Sequence, residues 1–557
     1  MNLDYIRIQN LRSLADTGII KLRPLTLLVG TNSSGKSTFL RTFPLLRQSV
    51  EIPTTGPILW YGRYVDFGTF NQAIRRNASS QEITLEFGLT LEKNFEPNRP
   101  TFYYYHSGTM FLEDLKFRVS LSLGQSQKEG KTFTRAIHLD LPTDRISVEA
   151  NESGDITSLR INEFDGVRES KLLKFVPSEN LLPVLTLRPE AAESLPPNAQ
   201  RGGRYGQWTG PLESVLRESV DPLFTRRVSA ERRVEVAHSI GLGSPEVQLA
   251  QLRKVAAPGS AFSRRAASLS PSDASFLRIH NAVFAEALPR LLRQIDTNLA
   301  AFFRPVRYIA PVRATAERYY RQQDLSVNEV DPQGANLAMF LRSLSWEEEN
   351  HFSDWCRNQL GFSVCARTTG AHISLFLQDI GSKAEYNIAD MGFGFSQILP
   401  VLAQVWSMTR LGQRRTSFPP GGPRYYRDDW EPERVGDIVV IEQPELHLHP
   451  RLQAKVADMF AAAAVASAEA KRPLTMVFET HSETIVNRIG YLVAMGKLAP
   501  SNVQILLFEK QTPESDTQVT QAEFSKEGVL ENWPHGFFLA ATDEVEQPVQ
   551  AEFATRP

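Results

Sequence analysis

Cysteine is nearly missing from these 557 residues: only Cys356 and Cys365 occur. Two thiols cannot build a disulfide scaffold or a cysteine-based zinc finger, and their scarcity fits a reducing cytoplasm. Both read as buried rather than reactive. Long apolar runs are missing too. No stretch approaches the ~20 uninterrupted apolar residues of a bilayer-spanning helix, so no membrane partner is expected. The first residues, Met1-Asn2-Leu3-Asp4-Tyr5, lack the charged-then-apolar pattern of a targeting segment. Neither sign of charge is in excess. The chain has 61 Lys and Arg against 63 Asp and Glu, a net charge of −2. That excludes a surface attracting nucleic acid as a whole, though not a local basic patch. Motifs of the HExxH, CxxC and lipase-elbow kinds, internal repeats and long heptad runs are also lacking. What remains is 42% hydrophobic and 22% charged, ordinary globular material with length for about three or four domains.

The most informative segment is Gly30-Thr31-Asn32-Ser33-Ser34-Gly35-Lys36-Ser37, followed by Thr38. It has the form G-x-x-x-x-G-K-[ST] of a phosphate-binding loop. Before it runs Leu25-Thr26-Leu27-Leu28-Val29, apolar and β-prone. After it, Phe39, Leu40, Phe43 and Leu46 have helical spacing. Strand, glycine loop and helix are the context the motif requires. The glycines let successive N–H groups and the helix N-terminus converge on a phosphate. Lys36 is expected to reach the β- and γ-phosphates, and the Ser37 hydroxyl to ligate Mg²⁺.

A second set of residues completes this chemistry. Asp437-Ile438-Val439-Val440-Ile441-Glu442 reads as a buried strand ending in a carboxylate, and Glu442 is placed to hold Mg²⁺ directly or through water. It continues as Gln443-Pro444-Glu445-Leu446-His447-Leu448-His449-Pro450. A further strand, Leu474-Thr475-Met476-Val477-Phe478, ends in Glu479-Thr480-His481-Ser482. His481 can contact the γ-phosphate and the attacking water. Upstream, Asp390-Met391-Gly392-Phe393-Gly394-Phe395-Ser396-Gln397 opens a helix expected over 398–405, a second anion site at a helix N-terminus.

Elsewhere the chain reads as organisation rather than chemistry. Strands are expected at Tyr5-Ile6-Arg7-Ile8 and at 18–22. Period-two strands follow at Ile83-Thr84-Leu85-Glu86-Phe87, Phe117-Arg118-Val119-Ser120-Leu121 and Ile137-His138-Leu139-Asp140-Leu141. Tyr103-Tyr104-Tyr105 could stack on bases, but in a β-rich stretch it reads rather as a sheet face or core strand. Residues 180–212 look like a long loop, and 213–304 turn helical. The best helix is 272–303, with Ser272 as N-cap and Pro289 expected to kink or split it. Residues 201–270 hold 11 Lys and Arg against 6 Asp and Glu. The pairs Arg226-Arg227, Arg232-Arg233 and Arg264-Arg265 give either a nucleic-acid surface or a solvated helical face. Residues 410–436 read as a surface loop.

The order of phosphate loop, glycine-rich signature, E-x-P-E-x-H-L-H-P and T-H-S resembles the ABC-type ATPases of the SMC, RecF and OLD (overcoming lysogenisation defect) group. Closer still, Ile441-Glu442-Gln443-Pro444-Glu445-Leu446-His447-Leu448-His449-Pro450, Glu479-Thr480-His481-Ser482-Glu483 and the tail Gly528-Val529-Leu530-Glu531-Asn532-Trp533-Pro534-His535-Gly536-Phe537-Phe538 are similar to bacterial AAA-family ATPases with a short C-terminal domain of unknown function. The resemblance covers residues 1–75 and 305–540. It leaves the middle largely uncovered and implies an ABC-type P-loop ATPase head. Joined to the patterns above, the chain reads as an α/β fold, such a head with a β-rich subdomain and a mainly helical insertion. The expected divisions are 1–80, the first part of the ATPase lobe; 81–180, β-rich; 181–304, linker and helical insertion; 305–500, the rest of the lobe; and 501–557, a small C-terminal domain. The resemblance also implies that two copies pair head-to-tail around two ATPs, in a homodimer or larger assembly, with Gly394 and Ser396 meeting ATP held by the partner's phosphate loop.

One position departs from the ABC pattern. The acid holding Mg²⁺ is usually followed by a glutamate that polarises the attacking water, and here that position is Gln443. A glutamine orients water but cannot take its proton. Either Glu445 or His481 supplies the base, or hydrolysis is slow and the ATP-bound dimer long-lived. A slow clock suits a sensor or scaffold better than a motor. Glu445, His447 and His449 alternate as three strand-borne metal ligands would, but the same spacing belongs to the dimer-contact loop of the resembled family.

Two functions follow, beside a third in which the chain is a non-enzymatic scaffold that uses ATP only as a structural ligand. The first is an ATPase that controls a separate effector in antiphage defence, as the OLD, Septu and retron-associated ATPases do, several with a nuclease partner. The tail after 500 has only scattered acids and lacks the clustered carboxylates of a Mg²⁺-dependent nuclease. The alternative is a DNA-repair or chromosome-maintenance ATPase that binds duplex DNA through the basic insertion.

Overall fold

A computed structural model of the chain describes residues 2–94, 109–193, 210–256, 259–323, 327–381, 384–414, 436–469, 474–510, 512 and 515–534. The tyrosines at 103–105, most of the loop expected at 410–436 and the end of the tail motif lie outside them. The described residues form two compact units. One draws on 2–21 and 41–305, the other on 22–40, 306–414 and 436–534.

In the first unit the alternating segments form an eight-stranded sheet. Its order is Leu14–Asp16, Asn2–Leu11, Ile83–Leu91, Leu115–Gln125, Thr132–Asp140, Arg145–Ala150, Ile156–Ile161 and Phe164–Asp165, with neighbours antiparallel. Burial sets the register. Phe117, Val119, Leu121 and Leu123 point inward and Lys116 is exposed, so a slip of one residue would put the apolar set in water. The strand expected at 18–22 reduces to one bridge between Ile6 and Ile20, because Gly18 turns the chain at φ 65°. The loop expected from 180 instead begins as the strand Val184–Leu187, paired with Leu173–Val176 and burying Leu185 and Leu187.

Helices Gly210–Val220, Ala230–His238, Pro245–Val255, Ala261–Ser268 and Ala274–Phe303 follow. The last is capped by Asp273 rather than Ser272. The Leu277 N–H donates to the Asp273 carbonyl at 2.8 Å, and the Asp273 carboxylate accepts from the Ser270 N–H at 2.6 Å. It runs unbroken through Pro289. Proline removes one helical hydrogen bond, but Leu288, Leu291, Leu292 and Ile295 are all buried around it, and that packing keeps the helix continuous. Of the paired arginines, Arg226 and Arg227 are exposed. Arg233 instead donates to the Thr225 and Val228 carbonyls, and Arg265 to those of Pro222 and Phe224.

The second unit is built on a seven-stranded sheet in the order Arg307–Ile309, Asp437–Glu442, Leu474–Glu479, Leu25–Gly30, Val503–Glu509, Gln518–Phe524 and Leu530–Glu531. The first five strands are parallel and the last two antiparallel. Leu25–Gly30 is buried at every position, as expected of a central parallel strand covered on both faces. Helices Phe393–Arg414, Pro450–Glu469 and Glu483–Ala494 supply apolar residues to the same core. Because the strands are parallel, their C-terminal ends lie along one edge, where open α/β sheets place their ligands. The register sets Glu442 opposite Glu479, and Glu479 opposite Leu28. Among the described residues no helix is long and apolar enough to cross a membrane.

Candidate functional site

The phosphate loop leaves its strand at Gly30, where φ is 155° and a Cβ would lie 2.2 Å from the Phe508 carbonyl oxygen. Only glycine fits. Ser33 at φ 61° and Gly35 at φ 99° then wrap the loop onto the helix Lys36–Glu51. Thr31, Asn32 and Ser33 are exposed, and Ser34, Lys36 and Thr38 buried. The Lys36 ammonium donates to the carbonyls of Gly30 (3.0 Å) and Thr31 (2.7 Å) and lies 3.7 Å from a Glu479 carboxylate oxygen. Burial lowers its pKa, partly offset by Glu479. The Ser37 hydroxyl donates to the other Glu479 oxygen at 2.6 Å. Burial alone would raise the Glu479 pKa, but His481, Ser37 and Lys36 together outweigh it and hold it below the usual range. Behind the loop, the Thr517 hydroxyl donates to the Ser34 carbonyl at 2.8 Å.

Glu442 is buried and accepts from the Tyr308 hydroxyl at 2.6 Å. The chain then turns sharply. Gln443 has φ 43°, and its N–H donates to the Glu479 carbonyl at 2.9 Å. Glu445 points inward: one carboxylate oxygen accepts from the His481 N–H at 2.7 Å, while the other is buried without a partner. Burial raises its pKa against the bond from His481. The His481 ring nitrogen lies 3.8 Å from Glu479.

This geometry decides between the two readings of one segment. The alternation of Glu445, His447 and His449 is not that of a strand. Residues 444–447 form a turn closed by Leu446 N–H to the Gln443 carbonyl and Leu448 N–H to the Glu445 carbonyl. Glu445 is therefore buried while His447 and His449 are exposed. Among the described residues no group of three His, Cys, Asp or Glu is arranged to hold a metal. The oxygens of Ser37, Glu442 and Glu479 are hard donors of the kind Mg²⁺ prefers when phosphate supplies the remaining ligands.

The signature segment also differs in detail. Its helix begins at Phe393 rather than 398, so Gly394 and Ser396 lie inside the first turn, with the Ser396 hydroxyl donating to the Phe393 carbonyl at 2.7 Å. Gly394 sits against the 443–449 turn, where a Cβ would come 2.7 Å from the His447 carbonyl oxygen. The Phe393 ring meets the His447 ring edge-on at 4.8 Å.

Sequence reasoning assigned roles to Ser37, Lys36, Glu442 and His481 but none to Glu479, the carboxylate that touches both Ser37 and Lys36. The available signal was a second parallel strand ending in an acid. Arg313 was missed altogether. It is 3% exposed and donates to the Glu442 carbonyl at 2.7 Å. Burial lowers its pKa to about 10, against the favourable fields of Glu445 and Glu442.

Two family models match the chain. One, described as an AAA domain, putative AbiEii toxin, Type IV TA system, covers residues 241–487; the other, an AAA ATPase domain, covers 1–120. Two solved structures are among those the chain resembles. One is an Smc head domain with an extended coiled coil bound to the C-terminal domain of ScpA, derived from Pyrococcus furiosus (8% identity, 99% of each chain, TM-score 0.31). The other is an SmcHead bound to the C-winged helix domain of ScpA (9% identity, 94% of this chain and 99% of that one, TM-score 0.31). No curated protein matches the chain.

Proposed function

We propose that this chain, an ABC-type P-loop ATPase whose two AAA-family segments supply the two sides of one nucleotide site, binds ATP with Mg²⁺, pairs with a second copy across two ATPs and hydrolyses them slowly. When bound, Mg²⁺ neutralises phosphate charge, with Ser37 and Glu442 as its protein ligands. Lys36 and the loop N–H groups hold the phosphates. Gly394 and Ser396 serve the partner's nucleotide.

The observation that carries the slow clock is the turn at 443–445. Gln443 occupies the position where a base is needed and has none to offer. The next acid, Glu445, is turned inward onto the His481 N–H. Removing a general base costs about 10²–10⁴ in rate. An ATP-held pair that persists is suited to controlling a separate effector, a nuclease acting in antiphage defence. In support, one matched family is described as a putative toxin of a type IV toxin–antitoxin system. The DNA-maintenance alternative draws less support, because Arg233 and Arg265 already serve loop carbonyls.

The test is the mass of the purified protein with ATP, ADP and no nucleotide. Dimers should form with ATP and Mg²⁺ and last for minutes. A monomer under all three conditions, with nucleotide bound, sinks the proposal.

A further inference from the structure

We infer that Arg313 is a positioning residue tying the signature helix to the turn that carries Gln443 and Glu445. Its effect on turnover rests on the ATPase reading above; the tie itself is geometric.

Arg313 follows the short strand Arg307–Ile309 by way of Ala310, Pro311 and Val312. One side chain holds its backbone from both sides. The Gln397 amide oxygen accepts from the Arg313 N–H at 3.3 Å, and the amide nitrogen donates to the Arg313 carbonyl at 3.3 Å. Gln397 belongs to the helix Phe393–Arg414, one residue after Ser396. At the other end, Arg313 Nη2 donates to the Glu442 carbonyl at 2.7 Å and reaches the Gln443 carbonyl at 3.4 Å. These carbonyls flank the point where the chain turns to φ 43°. A shift at the start of the signature helix thus passes through two side-chain hydrogen bonds to Arg313, and through one charged N–H to the turn that carries Gln443 and Glu445.

Gln397 and Arg313 are 2% and 3% exposed. A charged side chain so deeply buried is costly unless fully paired, so mere space-filling does not explain an arginine here. Nor is it fully paired. Arg313 Nε and Nη1 and one Glu445 carboxylate oxygen are buried without hydrogen-bond partners. Buried polar atoms left open call for a reason. Arg313 feels the Glu445 charge, so two spare donors and a spare acceptor would let Arg313 meet Glu445 directly in a second arrangement of the turn, with Gln443 carried along. In the ATP-held pair, the start of the signature helix is the part that senses the partner's nucleotide.

The test uses the full chain with Gln397→Met, which keeps the volume and removes both side-chain hydrogen bonds, Arg313→Lys, which keeps the charge and loses the fork, and the double variant. Turnover and amide hydrogen exchange are both read. Each single variant should lower kcat about 10-fold with KM within about threefold, and the double should be no slower than Arg313→Lys alone. Exchange at Leu446 and Leu448, whose amides close the turn, should quicken while the phosphate loop at 30–38 keeps its protection. Additive losses, a loss confined to KM, equal loosening of both segments or unchanged exchange at Leu446 and Leu448 would each overturn the proposal. If the wild type binds ATP without turning it over, the ATPase reading fails and the exchange arm still decides the role of Arg313. If Arg313→Lys does not fold, exchange in Gln397→Met decides alone.

Discussion

The Ser37 hydroxyl donates to the Glu479 carboxylate at 2.6 Å across 442 residues of sequence. The same carboxylate lies 3.7 Å from Lys36 Nζ. Both groups assigned to the phosphates and their metal are therefore held by one acid on the neighbouring strand. Glu479 is an internal counter-charge to Lys36 and repels any phosphate that approaches without a cation.

Glu479→Gln should therefore tighten nucleotide binding in EDTA, by about 3- to 10-fold for one charge at this range in a partly screened site. With Mg²⁺ present the gain should shrink or reverse, because a ligand near the cation is lost with the charge. Titration of a fluorescent ATP analogue under both conditions reads this. Equal affinities in EDTA would show that Glu479 does not oppose the phosphates.

Gln443→Glu should restore a base where ABC-type sites place one, and raise steady-state turnover at least 10-fold, within the range general bases supply. The ATP-held dimer should shorten its life in proportion. Rapid hydrolysis by the wild type, with no gain in the variant, would move the base to Glu445 or His481.

The parts of this site written locally were legible before the fold was known. The phosphate loop is contiguous, and the strand Asp437–Glu442 is an apolar run with a terminal acid, so spacing and composition located both. What could not be seen depended on strand order. Glu479 reaches Ser37 because Leu474–Glu479 inserts between Asp437–Glu442 and Leu25–Gly30, and no short window of sequence records that. Arg313 follows Pro311 and Val312 in a stretch that carries no motif, and its partner Gln397 is 84 residues away. The Glu445-His447-His449 alternation left strand and loop both open, because letters at period two fit a turn as well as a strand. The left-handed backbone at Gln443 and His447 decided between them.

Gly394→Ala should weaken ATP-driven pairing more than nucleotide binding. The added methyl would lie 2.7 Å from the His447 carbonyl oxygen. That is backbone, so the signature helix or the turn must move; such overpacking costs about 1–3 kcal/mol. Dimer mass against ATP concentration should shift to higher ATP by about 5-fold or more, with the affinity of the monomer for nucleotide unchanged. Unaltered pairing would mean that the contact between this helix and this turn has no part in assembly.

The last prediction concerns the first unit, where His280 Nε2 lies 2.6 Å from Asp144 and Nδ1 lies 2.8 Å from the Gln248 side-chain oxygen, all buried. Burial pushes the Asp144 pKa up, but bonds from His280, Thr143 and Asn162 outweigh it and leave the carboxyl below its ordinary value. A carboxyl that is more acidic folded than unfolded adds stability above its unfolded pKa of about 3.9 and loses it as pH falls through that value toward the lower folded one. Asp144→Ala removes this contribution and leaves the buried His280 ring short of a partner. The expected cost at pH 7 is about 2–4 kcal/mol, the range for breaking a buried charged hydrogen bond. Chemical denaturation of wild type and variant between pH 7 and pH 3 should show the gap narrowing only below about pH 4. A gap that stays constant down to pH 3 would place the stabilisation in packing instead of charge.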